Sequence, residues 1–333
     1  MATTVAEIIV ERLKDAGVAR VYGIPGDSLN GFTDALRVDG SIRWQHVRHE
    51  EGAAFAATAE ASLTGEMAVC AGSCGPGNLH LINGLFDAHR SRVPVLAIAA
   101  HIPAPEIGSG YFQETHPEQL FRECSSFCEM VSTPEQMPRL LDVAMRTAVE
   151  ERGVAVLVIP GETFLAKCSS RRAGAPIRAV DRVVRPTDAE LRRVAATLNA
   201  SEKVTILAGA GTEGAHDEVV ELAKALQAPV VHALRGKEFV EYDNPYDVGM
   251  TGLLGFPSGY RAIEKCDTLL LLGTDFPYQQ FYPSKATIIQ LDIRGEQIGR
   301  RCPVDIPLVG SVRDTIPPLL ALICLLYTSP SPR

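Results

Sequence analysis

The sequence predicts an α/β protein of two doubly wound parallel-sheet domains, and three observations carry that prediction. Short apolar runs alternate with helical stretches, each run ends in a turn-forming cluster, and the alternation is broken once, by an aperiodic segment over 162–186. Strands that are apolar along their whole length belong inside a sheet covered on both faces, and strands joined by helices in this way are parallel. The chain has 333 residues, more than the ~100–200 of a usual domain, so two cores are expected.

Taken in order, "MATTVAEIIVERLKDAG" reads as an amphipathic helix with acids and bases interspersed, leading into the strand "RVYGI" and the cluster "PGDS". "IRWQHV" is the next strand, followed by an alanine-rich helix over 53–63. "MAVCAG" ends in "GSCGPGN" and a helix over 79–89, "VPVLAIAA" ends in "HIPAP", and "VAVLVIP" ends in "PGE". In open α/β sheets ligands gather at these carboxyl ends. The first domain so defined covers 1–161. Residues 162–186 are polar, contain proline and show no period, as an interdomain linker does. The second domain, 187–321, opens with a capped helix from Thr187 and continues through "KVTILAGAG", a helix ending at Leu226, "PVVHAL", a long loop to Gly259, "TLLLLG" and "TIIQLDI". Residues 322–333, "LICLLYTSPSPR", turn abruptly to a Ser/Pro ending and read as a non-native tail.

Composition narrows the function classes. Net charge is −8 with a sequence pI near 5.6, and no basic stripe advertises nucleic acid or an anionic membrane. The opening residues lack the uninterrupted apolar stretch of a signal peptide, no run approaches ~18 apolar residues, and the expected location is the cytoplasm. Eight scattered cysteines fit free thiols. Cys70 with Cys74, and Cys124 with Cys128, have no second pair in zinc register, so no residue is read as a metal ligand.

Three features could carry chemistry. Glu50 stands where "IRWQHV" gives way to the alanine-rich helix, a carboxylate at the mouth of an apolar element. The position suits an acid that only complements a helix dipole, and it equally suits a carboxylate kept dry for proton exchange. Glu51 and His49 beside it read as surface and packing residues. "GSCGPGN" offers a backbone that a ligand can approach closely, or simply a tight strand-to-helix turn. "GYFQETHP" places Phe112 and Gln113 in a loop long enough to be functional. In the second domain "GAGTEGA" hints at dinucleotide binding without the GxGxxG spacing.

Together, "YGIPGDSLNG", "RHEEGAAFAA", "CAGSCGPGNLHLINGLFDA", "PVLAIAA", "GYFQE" and "ALRGKEFVEYDNPYDVGMTGLLG" resemble the thiamine-diphosphate-dependent decarboxylase and oxidase superfamily, most closely its quinone-dependent pyruvate dehydrogenase (pyruvate oxidase) branch, over about 1–320. The resemblance implies a pyrimidine-binding first domain and an FAD-binding second one. Glu50 would hydrogen-bond N1′ of the aminopyrimidine of thiamine diphosphate. Gly26, Asp27, Ser28, Gly75, Pro76, Gly77, Asn78, Phe112 and Gln113 would line the thiazolium and substrate pocket. Thr251, Gly252, Leu253, Leu254, Thr274, Asp275, Phe276, Pro277, Tyr278 and Asp292 would meet FAD, although Asp292 could instead cap the element after it. The implied reaction takes pyruvate to acetate and carbon dioxide, with electrons passing through FAD to a quinone. The implied assembly is a homodimer or homotetramer that touches a membrane only peripherally, through a C-terminal segment. The family's GDG motif with its following Asn-Asn, which binds Mg2+ and the diphosphate, does not occur in this sequence. On that ground the chain is expected to lack a third domain and to be inactive by itself. Acetolactate synthase is the nearest alternative enzyme, and a dinucleotide-binding module without chemistry the alternative of another class.

Overall fold

Strand and helix alternate through both halves of the computed structural model, which describes residues 3–169 and 175–324. Two units emerge, Met1–Val180 and Asp181–Arg333. The first contains β1 (Thr3–Thr4), α1 (Val5–Asp15), β2 (Arg20–Gly23), α2 (Asn30–Asp39), β3 (Arg43–His46), α3 (Glu50–Thr64) and β4 (Ala68–Gly72). It continues with α4 (Pro76–Ser91), β5 (Val95–His101), α5 (Pro117–Leu120), β6 (Phe127–Met130), α6 (Met137–Glu150), β7 (Val154–Pro160) and β8 (Lys167–Cys168).

Six of these strands form a wholly parallel sheet in the order β3-β2-β4-β5-β7-β6. Side-chain alternation splits its core. Val69, Ala71, Leu96, Ile98 and Leu157 pack under α1, α2 and α6, while Cys70, Ala97 and Val156 pack under α3 and α4. Burial on both faces is why the central strands are continuously apolar. A capping box between Thr4 and Glu7 starts α1, and Arg12 reaches from it to Asp142 of α6 at 2.7 Å, a buried charge met by its opposite. The sheet reverses direction between β2 and β4, so the loops after those strands border the crevice where such folds bind ligands.

The second unit holds α7 (Asp188–Ala200), β9 (Val204–Ala208), α8 (His216–Leu226), β10 (Val230–His232), α9 (Lys237–Val240), β11 (Asp247–Met250), α10 (Pro257–Glu264), β12 (Thr268–Leu272), β13 (Thr287–Asp292), β14 (Ile306–Val309) and α11 (Val312–Leu320). Its sheet is also parallel throughout, in the order β11-β10-β9-β12-β13-β14, with the reversal between β9 and β12. Thr187 and Glu190 form the capping box that begins α7, as the sequence predicts.

The structure departs from the sequence reading in three places. The segment read as linker from Glu162 is built into the first unit at its start: Glu162 accepts the N–H of Ala104 at 2.8 Å, Phe164 is fully buried, and β8 pairs antiparallel with β1. Aperiodicity there reflects a 3-10 turn and a two-residue strand, neither of which has a readable period. The long loop to Gly259 contains α9, β11 and the start of α10. The tail read from Leu322 starts inside the fold, since Asn199 of α7 bonds both the carbonyl of Leu322 and the N–H of Cys324. Residues 325–333 of it lie outside the described residues.

Candidate functional site

Glu50 is the first residue of α3, and only 8% of it is exposed. His49 caps the helix, its Nδ1 accepting the N–H of Glu51 at 3.2 Å, and the His49 ring stacks on that of His80 with centroids 4.1 Å apart. His80, one turn into α4, lies with Nδ1 2.9 Å from Glu50 Oε2. The other carboxylate oxygen, Oε1, faces Gly77, where a Cβ would stand 3.3 Å from it. Glu50 is thus fixed through one oxygen and bordered at the other by bare backbone. Asp142, also buried, is paired with an arginine; Glu50 meets a histidine instead, with no lysine or arginine against it among the described residues. Glu51 turns outward and accepts from Asn83 at 2.8 Å, joining α3 to α4.

The loops at the sheet reversal are stitched together beside it. Ser28 Oγ lies 2.8 Å from Ser73 Oγ and accepts the N–H of Cys74 at 3.0 Å. Gly26 is required there, because a Cβ would fall 2.4 Å from Ser73 Oγ. Gly75 has φ +64, and a Cβ on it would meet Gln113 at 2.8 Å, so the loop of Gln113 lies directly over the glycine turn. Gln113 is itself held at φ +65 and its Oε1 faces Cys74 Sγ at 3.6 Å. Of the residues predicted from sequence, Glu50, Gly26, Ser28, Gly75, Gly77 and Gln113 come together. Asp27 and Pro76 are exposed, Phe112 is 79% exposed, and Asn78 is wholly buried, tying α4 to the carbonyl of Ala100 at 2.7 Å.

Two residues of this region escaped the sequence reading. His80 gives no local signal, because its role depends on α3 and α4 lying side by side. Glu114 accepts N–H groups from Gly108, Gly110 and Tyr111 at 2.5, 2.8 and 3.1 Å, which hold its carboxyl below the usual glutamate range and set the loop carrying Gln113. An acid closing a glycine-rich stretch, "GSGYFQE", was the available signal.

In the second unit Gly252, at φ +112, lies against Phe276 and Tyr278, so the loop starting at Thr251 meets the one after β12. Thr251 is 3% exposed and its hydroxyl has no partner among the described residues. Leu253 and Leu254 stand exposed beside it. Thr274 is buried next to Gly273, and Asp292 ends the neighbouring β13, one oxygen accepting the N–H of Arg294 at 2.9 Å in a turn. That turn lies before the 3-10 turn at Gly295–Gln297, whose N-cap position is Arg294, so Asp292 does not cap it. Phe276 belongs to the core with Tyr282, not to a surface, and Asp275 is engaged by Arg301 through two bonds of 2.9 and 3.2 Å. Pro277 is exposed and Tyr278 half-buried. The glycines of "GAGTEGA" serve packing: Gly211 donates to the Gly273 carbonyl at 2.9 Å, and a Cβ on Gly209 or Gly211 would strike residue 273 within 2.6 Å.

Comparison with known proteins agrees with this division. Residues 3–120 match the thiamine pyrophosphate enzyme N-terminal TPP binding domain, and residues 191–319 match the central domain of the same enzymes. A 42.6 kDa protein from the isoamylase 3′ region of Pseudomonas amyloderamosa is 64% identical over 96% of this chain and 81% of its own length. YdaP of Bacillus subtilis (strain 168), described as thiamine pyrophosphate-containing, is 40% identical over 92% of this chain and 54% of its own. Pyruvate oxidase of Lactiplantibacillus plantarum is 30% identical over 95% and 53%, and acetolactate synthases also match. The chain therefore spans about half the length of the last two named relatives and most of the first. With both domain models matched in order and a parallel α/β unit behind each, the chain belongs to the thiamine pyrophosphate enzyme family.

Proposed function

We propose that this chain forms the pyrimidine-binding and flavin-binding part of an enzyme that oxidatively decarboxylates pyruvate to acetate and carbon dioxide and passes the electrons through FAD to a quinone. The observation that carries the reading is Glu50: buried, anchored by His80 on one oxygen and bordered by Gly77 on the other. A carboxylate so placed holds or exchanges a proton at one defined point with little competition from water. It fits the ring nitrogen of an aminopyrimidine. Thiamine diphosphate, when bound, supplies the electron sink for the charge left by departing carbon dioxide. Glu50 would orient that ring, while Gly26, Ser28, Gly75 and Gly77 leave room for close approach and Gln113 covers the pocket. Thr251, Gly252, Leu253, Leu254, Thr274 and Asp292 would hold FAD; the unpartnered Thr251 hydroxyl and the two exposed leucines fit a ligand with polar and apolar parts. Nothing in the chain answers to the family's diphosphate and Mg2+ motif, so those groups would be held by sequence outside these residues. A cytoplasmic homodimer or homotetramer, with peripheral membrane contact for quinone, belongs to the same reading.

The test is product analysis. The chain, alone and with whatever coding sequence continues it, is supplied with pyruvate, thiamine diphosphate, Mg2+, FAD and a soluble quinone. Acetate formation coupled to quinone reduction supports the proposal. Acetolactate as the product would assign the alternative, acetolactate synthase, and tight cofactor binding without turnover would refute both.

A further inference from the structure

The second unit contains a cluster that the proposed chemistry does not use. His232 closes β10 at 1% exposure, and both its ring nitrogens are buried without a hydrogen bond of normal geometry. Its Nε2 points at Asp247 Oδ1, 3.5 Å away, and that oxygen is also buried without a partner. Glu241 Oε1, just past α9, lies 4.0 Å from the same nitrogen. One ligand atom from each of the three residues falls within 4.8 Å of the others.

A buried imidazole nitrogen and a buried carboxylate oxygen that face each other without a hydrogen bond of normal geometry each carry an uncompensated desolvation cost. The surroundings orient the carboxylates while leaving one oxygen of each inward. Asp247 Oδ2 accepts the N–H of Gly249 at 3.1 Å, and Glu241 Oε2 is held by Lys237. Metal-ligating carboxylates are oriented by outer partners in this way. One nitrogen and two oxygens suit a divalent ion of the Zn2+ kind, whose tetrahedral bonds of about 2.0–2.1 Å put neighbouring ligand atoms roughly 3.4 Å apart, against 3.5 and 4.0 Å from Nε2 to the two carboxylates here, so a modest closing of Glu241 completes the set. Lys237 offsets one of the two negative charges, and the half-exposed Glu241 provides the way in from solvent.

We propose that His232, Glu241 and Asp247 bind one Zn2+, with water in the fourth position. The ion is structural. It pins the outermost strand β11 and the turn after α9 to β10, whose His232 carbonyl also accepts the N–H of Thr251 at 3.1 Å and so anchors the loop of exposed leucines.

The experiment uses the full chain, stripped with a chelator, titrated with Zn2+ by calorimetry, and analysed for retained zinc after gel filtration. Wild type is expected to retain one zinc per chain more than Glu241→Ala or Asp247→Asn, with affinity at this site at least ~10-fold weaker in each variant. Zn2+ should raise the melting temperature of wild type and not of the variants. Glu241 is half exposed, so its replacement leaves folding intact, which circular dichroism verifies. Equal zinc content in folded wild type and Glu241→Ala overturns the proposal. So does a Co2+-loaded spectrum dominated by thiolate bands, because the ion would then be on cysteine.

Discussion

Glu50 and Glu51 are adjacent carboxylates with opposite surroundings, and the difference is testable in an active form of the enzyme. Glu50→Gln keeps the shape of the side chain but cannot share a proton, so turnover should fall at least ~10²-fold, about 2.7 kcal/mol of barrier. Glu51→Gln retains an acceptor for Asn83 and should change turnover little. Steady-state kinetics of the two variants decides; equal losses would remove Glu50 from the chemistry. Glu114 supports a pH prediction. Its folded pKa lies below the ordinary 4.5 because three N–H groups favour the carboxylate. Its contribution to stability is therefore complete above that value and is lost as pH falls through the lower folded one. Urea unfolding should show the gap between wild type and Glu114→Gln closing as the solution is acidified, and a constant gap would contradict this. Glu50 and the glycine turns could be read from the sequence because each makes its point locally. His80 and His232 could not, since their partners lie on other elements, while Glu114 left only the glycine-rich stretch it closes as a signal.

Among the elements, legibility followed burial. The central strands were found because they are apolar from end to end, whereas the three longer strands missed, β6, β11 and β14, all lie at sheet edges. An edge strand is half wet and can carry Glu129, Gly249 or Pro307, each of which weakens a strand signal. Pro307 is tolerated because β14 has a neighbour on one side only. Helix starts also moved: α3 begins at Glu50 and α4 at Pro76, each about a turn before the apolar period becomes visible. The contact between these helices rests on small residues, as a Cβ on Gly84 would stand 2.5 Å from that of Ala54. Gly84→Ala should therefore destabilise the protein by about 1–3 kcal/mol. Gly52→Ala, on the open face of α3 with nothing within 4 Å, should stabilise it by about 0.5–1 kcal/mol. Denaturant midpoints of the pair provide the measurement, and shifts of the same sign would show that the helix contact is looser than described.

At the scale of the molecule, each unit has its own sheet and its own pair of apolar layers. The segment between them carries Arg178 and Arg182 at exposed positions. Brief trypsin treatment should cut there first and leave two resistant fragments, identified by mass; early cuts inside either unit would argue against independent cores. The division falls at 180–181, inside the stretch read from the sequence as a linker, and that stretch begins within the first core because the chain passes Phe164 through it. The pairing of β1 with β8 gives that detour a further meaning. Thr3 lies opposite Cys168, and Val5 donates to the carbonyl of Ala166 at 3.0 Å, so the first strand of the first unit is paired by its last. A chain growing on the ribosome therefore cannot make this pairing until Cys168 has cleared the exit tunnel. Only then can β1 and β8 close the first unit as a block, before the second unit is complete.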